Sequence, residues 1–154
     1  MRLCLTALSA CLVACSSGSA VAPMPAALPD PTPAVLALSD SVLAAAGDRN
    51  AARFAGYFSD RPGFRYLINT RQLDSRETLR TTFEAMLRRQ QVFRPTWHER
   101  SVQVVSPQVA ILTGTFSTEA RKADGDAWTA RGVVTFVAVR ERETWRVAHW
   151  HTSE

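Results

Sequence analysis

Apolar residues recur at helical spacing through the first half of the chain and at strand spacing through the second. Between Ala34 and Phe58 the positions Val35, Leu38, Val42, Ala45, Phe54 and Phe58 follow three- and four-residue steps, which predicts an amphipathic helix. Gly47-Asp48-Arg49-Asn50 interrupts the stripe, so one kinked helix or two short ones are expected. Asp60-Arg61-Pro62-Gly63 is a turn by composition, and Phe64 to Asn69 reads as a short strand. Asp74 or Ser75 can cap a further helix over Glu77 to Gln91, where Leu79, Phe83, Met86, Leu87 and Gln90 form the stripe. Pro95 marks its end.

Beyond Pro95 the period becomes two. Trp97 to Ser106, Val109 to Glu119, Ala127 to Arg140 and Thr144 to Thr152 read as strands. They are joined at Pro107-Gln108, at Lys122 to Asp126 and at Glu141-Arg142-Glu143. Joints this short imply an antiparallel meander, hence an α+β fold with a curved sheet and helices across one face. Apolar residues fall on both parities of the middle strands: Ile111 beside Leu112, and Val133 and Val137 beside Val134 and Phe136. A sheet with one wet face lacks this pattern, so the second face either meets another copy of the chain or lines a cavity.

Composition narrows the class. A 154-residue chain that is 46% hydrophobic and 21% charged is an ordinary globular domain, which excludes a disordered, collagen-like or membrane-bundle protein. The formal charge is +4, and all but one of the 18 basic residues are Arg, the exception being Lys122. They are scattered, with Arg88-Arg89 and Arg121-Lys122 the only pairs, so no nucleic-acid partner is expected. The three cysteines are Cys4, Cys11 and Cys15, which leaves the body without disulfides, thiolate metal sites or a cysteine nucleophile.

Those cysteines sit in a segment of their own. Arg2 precedes a run from Leu3 to Ala14 that is too short to span a hydrocarbon layer of ~30 Å and fits a signal h-region. Its end, Leu12-Val13-Ala14-Cys15, resembles the bacterial lipobox, in which the Cys is acylated and becomes the mature N-terminus; the alternative is a plain secretory signal. Residues 1–14 therefore read as a lipoprotein signal peptide and 15–33 as a Ser/Pro/Ala-rich tether. Residues 34–154 form the domain. The expected location is the periplasmic side of the cell envelope, with a lipid on Cys15 as the only link to the membrane.

The chain's end carries a second resemblance. Trp145-Arg-Val-Ala-His149-Trp-His151-Thr-Ser153 is similar to the closing strand of the SnoaL-like or DUF4440 branch of the NTF2-like superfamily. The helix ending Phe54-Ala-Gly-Tyr57-Phe58, the segment Leu73-Asp-Ser-Arg76-Glu-Thr-Leu79 and Val109-Ala-Ile-Leu-Thr-Gly114-Thr-Phe116 match in character. The resemblance implies an α+β cone, a curved antiparallel sheet wrapped around N-terminal helices, with a pocket between them and usually a homodimer. It implies no single activity. The Asp general base of the steroid-isomerase branch has no counterpart after the first helix, where Gly63 to Asn69 supplies no carboxylate before Asp74, and where polyketide cyclases carry a late-strand Asp this chain offers Thr113, Thr115, Glu119, Arg131 and Thr135. No catalytic residue is carried over, and no cofactor is expected.

Strict alternation along the last strand puts Trp145, Val147, His149 and His151 on one face and Arg146, Ala148, Trp150 and Thr152 on the other. Two imidazoles about 7 Å apart could bind a carboxylate, phenol or carbonyl, or supply a general base. The alternative is a core His149 bonded to Tyr57 or Tyr66. A metal would need a third ligand from His98, Glu99, Glu119 or Asp60, and nothing places one, so none is expected. Phe64, Tyr66 and Trp97 fall where helices and strands meet in such a cone. The expected pocket, for a small apolar or amphipathic molecule, thus comprises Tyr57, Phe64, Tyr66, Trp97, His149 and His151. Three functions fit: a small-molecule-binding or accessory lipoprotein; an isomerase, dehydratase or cyclase using His149; or an association module in an envelope complex.

Overall fold

The structure, a computed structural model, describes residues 29–153. The signal segment, Cys15 and most of the tether lie outside them. Helix α1 (Thr32–Gly47) begins with Pro31 at its N-cap and Pro33 in its first turn, where a missing N–H removes no intrahelical bond. Asn50 then caps α2 (Ala51–Gly56), its side chain accepting from the Arg53 N–H at 2.9 Å. The break falls at Asp48-Arg49-Asn50, where Arg49 takes a left-handed φ of 55°.

Strand β1 (Arg65–Ile68) turns at Asn69 into β2 (Arg71–Leu73). Ser75 caps α3 (Arg76–Leu87), accepting from the Thr78 N–H at 3.0 Å. Strands β3 (Gln90–Ser106), β4 (Val109–Lys122), β5 (Ala127–Glu141) and β6 (Thr144–Ser153) complete the chain. The third helix is shorter than its stripe suggests, and β3 starts seven residues before Trp97, reaching back through Pro95. Pro95 is tolerated because β3 is an edge strand, so its lacking N–H costs no bond on the open side.

The six strands form one sheet in the order β2-β1-β6-β5-β4-β3. Here the structure corrects the expected cone and its antiparallel sheet. The sheet is mixed, because β1 runs parallel to β6, pairing Arg65 with His149 and Leu67 with His151. It is also open: β2 and β3 are its two edges and do not meet. The physical reason is that short joints dictate direction only between consecutive strands. They do so correctly for β3 to β6 and for β1–β2. The β1–β6 pairing closes across most of the chain and leaves no local turn signal.

One face of the sheet carries the core. Helix α1 crosses β3, β4 and β6, α2 packs on α1 and α3, and α3 meets β2 and β3. Across three adjacent strands Phe136, Trp150 and Tyr66 are register partners and stack in a row, ring centroids 5.5 and 5.9 Å apart and planes within 7° of parallel. Such aromatic neighbours stabilise strand pairs beyond their buried area. Gly132 pairs with Phe116, and a Cβ there would approach the Phe116 ring to 2.9 Å, so only glycine lets that ring lie against the strand.

Candidate functional site

Between the helices and this aromatic row lies an apolar chamber of 130 Å³. Val42, Leu43 and Ala46 of α1, Phe54 of α2, and Phe83 and Met86 of α3 wall one side. Tyr66, Phe93, Trp97, Phe116, Trp128 and Trp150 wall the other, joined by Pro95, Ile68, Thr118 and Thr152. Tyr66, Ile68, Phe83 and Met86 also line a larger cleft of 640 Å³, which extends past Leu73, Thr81, Thr82 and Gln90 to Arg71, Arg89 and Lys122. The four shared residues put the cleft directly beside the chamber, as its vestibule. The pair resembles the usual ligand site, apolar within and polar at a few points.

The walls are held by specific bonds. The Trp97 indole N–H donates to the Ser39 carbonyl at 3.2 Å, and Arg100, 5.7 Å from the Trp97 ring centroid, donates to Ser39 Oγ at 2.6 Å and pairs with Asp40. A β-bulge between Trp97 and Arg100 brings both side chains to the helix-facing side. Phe83 stacks on Phe54, centroids 3.9 Å apart. Two buried side-chain atoms have no partner among the described residues, Nε1 of the chamber-lining Trp150 and Oε1 of the vestibule-lining Gln90. Leaving such an atom unbonded costs roughly 1–3 kcal/mol.

At the mouth, Lys122 is hydrogen-bonded to Asp126 at 3.0 Å, which holds its ammonium above the ordinary lysine range; Asp124 adds to this, and the charge of Arg89 opposes it. Among the described residues, no Asp, Glu or His lines the chamber or the vestibule. The arrangement can desolvate an apolar group and attract negative charge at its rim, while the Thr152 hydroxyl is spent on the Val133 carbonyl at 3.1 Å.

Of the six residues expected to form the pocket, Tyr66 and Trp97 line the chamber. Phe64 is buried behind it, edge-on to Phe58 at 5.9 Å. Tyr57 lies near the surface, its hydroxyl accepting from Arg53 Nε at 3.3 Å. His149 and His151 are on the opposite face of the sheet, which corrects their expected interior position. The cause is a β-bulge. Ala138 pairs with Val147 and Val137 with His149, leaving Ala148 as the extra residue. Val147 is therefore buried before the bulge, Trp150 and Thr152 after it, and the two imidazoles turn outward. Glu119 and Arg131 share the outer parity and are exposed. Among the described residues no three His, Cys, Asp or Glu gather where they could hold a metal ion.

The sequence reading missed Trp150, Phe83, Thr118, Thr152, Arg71 and Arg89 as site residues. One signal was present for Trp150: it stands three positions after Val147, and two large apolar residues at odd spacing share a strand face only across a bulge.

The geometry has clear relatives. A family model described as a SnoaL-like domain matches residues 35–154. No curated protein matches the sequence. Among solved structures, an uncharacterized protein with a cystatin-like fold from Caulobacter vibrioides is similar, with a TM-score of 0.68 and 21% identity over 79% of this chain and 87% of that one. A hexachlorocyclohexane dehydrochlorinase of type 2 gives a TM-score of 0.70 at 14% identity, over 79% of this chain and 82% of its own. An NTF-2-like protein of unknown function from Shewanella oneidensis MR-1 gives 0.65 at 14%, over 81% and 100%. Identities this low speak to the shared fold alone, and fold does not fix function. On the family match over most of its length, the chain belongs to the SnoaL-like domain family of the NTF2-like superfamily.

Proposed function

We propose that this protein binds a small apolar or amphipathic molecule in the chamber and performs no acid–base chemistry on it. The observation that carries this reading is the lining: aromatic and aliphatic apart from Thr118 and Thr152, with no carboxylate or imidazole among the described residues. An isomerase, dehydratase or cyclase needs a group that takes up a proton near neutral pH and within hydrogen-bond reach of its substrate. The imidazoles proposed for that role from the sequence face away from the chamber.

The binding reading is tested by filling the space. Ala46 sits in α1 at 4% exposure with its side chain in the chamber wall. Ala46→Leu adds three carbons there without disturbing helix propensity. Toluene should raise the melting temperature of the wild-type domain saturably, as any ligand selective for the native state does. The variant should keep its circular dichroism and show no toluene response. A wild-type melting temperature indifferent to toluene contradicts the reading.

Two further proposals concern context. The protein would be held at the envelope by a lipid on Cys15, as Leu12-Val13-Ala14-Cys15 suggests, presenting the domain to ligands arriving from solvent. It would also pair through the outer sheet face, where Ile111, Val137, Val139 and the 57%-exposed Val133 stand beside threonines.

A further inference from the structure

The cations at the mouth of the vestibule deepen this reading and rest on it. We propose that the molecule bound is a small aromatic carboxylate, its ring in the chamber and its charged head at the mouth between Arg71 and Arg89. The first argument is size. An engineered apolar cavity of about 150 Å³ accommodates one benzene ring, and the chamber here measures 130 Å³. Its walls offer the faces and edges of six-membered rings, with Phe83 on the helix side and Trp150 on the sheet side. One ring fills the chamber, so any further substituent must project into the vestibule.

The second argument is charge. Three cations line the vestibule and, among the described residues, no anion does. Lys122 is paired with Asp126. Arg71 and Arg89 have no ion pair among the described residues and, unlike the other arginines without one, both line the vestibule. The two come from opposite walls. Arg71 stands on β2 opposite Ile68, on the helix-facing side of the sheet, and Arg89 follows α3 directly before Gln90. Guanidinium groups present paired N–H donors that match a carboxylate in geometry as well as charge. A cationic ligand would be repelled here, and a neutral one would leave both guanidiniums unused.

The test uses the domain in solution and three probes: phenylacetate, 3-phenylpropionate and 4-phenylbutyrate, each beside its primary amide, with affinities read by calorimetry. The two members of a pair share ring, linker and size and differ in charge. At least one acid should bind about tenfold more tightly than its amide, and the advantage should shrink with added salt, because the mouth is open to solvent. In Arg71→Gln/Arg89→Gln, both exposed positions that leave the core intact, acid and amide should bind equally well, at the wild-type affinity of the amide. Equal affinity of acid and amide in the wild type overturns the carboxylate assignment while leaving the chamber a binding site. A preference that survives in the double variant overturns the role of the two arginines. If neither acids nor amides bind at millimolar concentration, the binding reading itself fails, and this inference with it.

Discussion

A single extra residue decides what this site is made of. Ala148 bulges out of β6, so the strand presents Val147, Trp150 and Thr152 to the helices instead of Val147, His149 and His151. With the imidazoles inside, the chamber would have held a general base; with Trp150 inside, it has an aromatic wall. The histidines instead border the outer face, where His149 lies between Arg65 and Val137. Replacing His149 by Phe should therefore leave affinity for chamber ligands within about twofold, the scale of a distant surface change. Calorimetry with 4-phenylbutyramide checks this, and a tenfold loss would return His149 to the site. None of this could be read from alternation alone, because alanine carries no bulge signature and period two holds only while the ladder stays in register. The aromatics depend on the resemblance, which expects Phe64, Tyr66 and Trp97 where helices and strands meet. Tyr66 and Trp97 line the chamber, and Phe64 is buried behind it.

At the scale of elements, local signals worked where local physics decides. The break between α1 and α2 and the three hairpin joints of β3 to β6 all follow from turn and cap chemistry. The start of α3 is one such case: Ser75 accepts from the Thr78 N–H at 3.0 Å. Ser75→Ala should cost about 1 kcal/mol in urea denaturation. A loss near zero would mean that the packing of Leu79 and Leu87 alone sets the helix start. The stop of the same helix was misread. Its apolar stripe continues through Gln90, yet the helix ends at Leu87 and β3 begins at Gln90, whose backbone carbonyl accepts from Arg49 at 2.6 Å. That early stop matters for function, since it carries Arg89 and Gln90 to the mouth of the vestibule. Strand β2 was missed for a related reason. Arg71-Gln72-Leu73 is three residues long and mostly polar, and only its pairing with β1 makes it a strand.

For the whole molecule, the balance of helices and sheet was legible and the shape of the sheet was not. Turn chemistry fixes neighbours in sequence, whereas an open, mixed sheet depends on β1 finding β6 from the far end of the domain. The apolar residues on both strand parities had two explanations, and the molecule divides them. Leu112, Val134 and Phe136 face the core, while Ile111, Val133 and Val137 face outward. If the outward set meets a second copy, sedimentation at micromolar concentration should give a species of twice the chain mass, and Val133→Arg with Val137→Arg should return it to the monomer. A monomer in the wild type would remove the pairing proposal and leave the chamber untouched, because the two lie on opposite faces of the sheet.

The claim that the chamber is the functional site is tested most directly at Trp150, whose side chain lines it and whose indole nitrogen has no partner among the described residues. Trp145, which lines neither the chamber nor the vestibule, provides an internal reference. The direct measurement is the nitrogen–proton NMR spectrum of the two indoles during titration with toluene, the single ring that the chamber has room for. The account predicts that the Trp150 N–H signal shifts and saturates as the bound ring settles against the indole, while the Trp145 signal moves far less. A Trp150 signal that stays fixed while toluene binds elsewhere would contradict it.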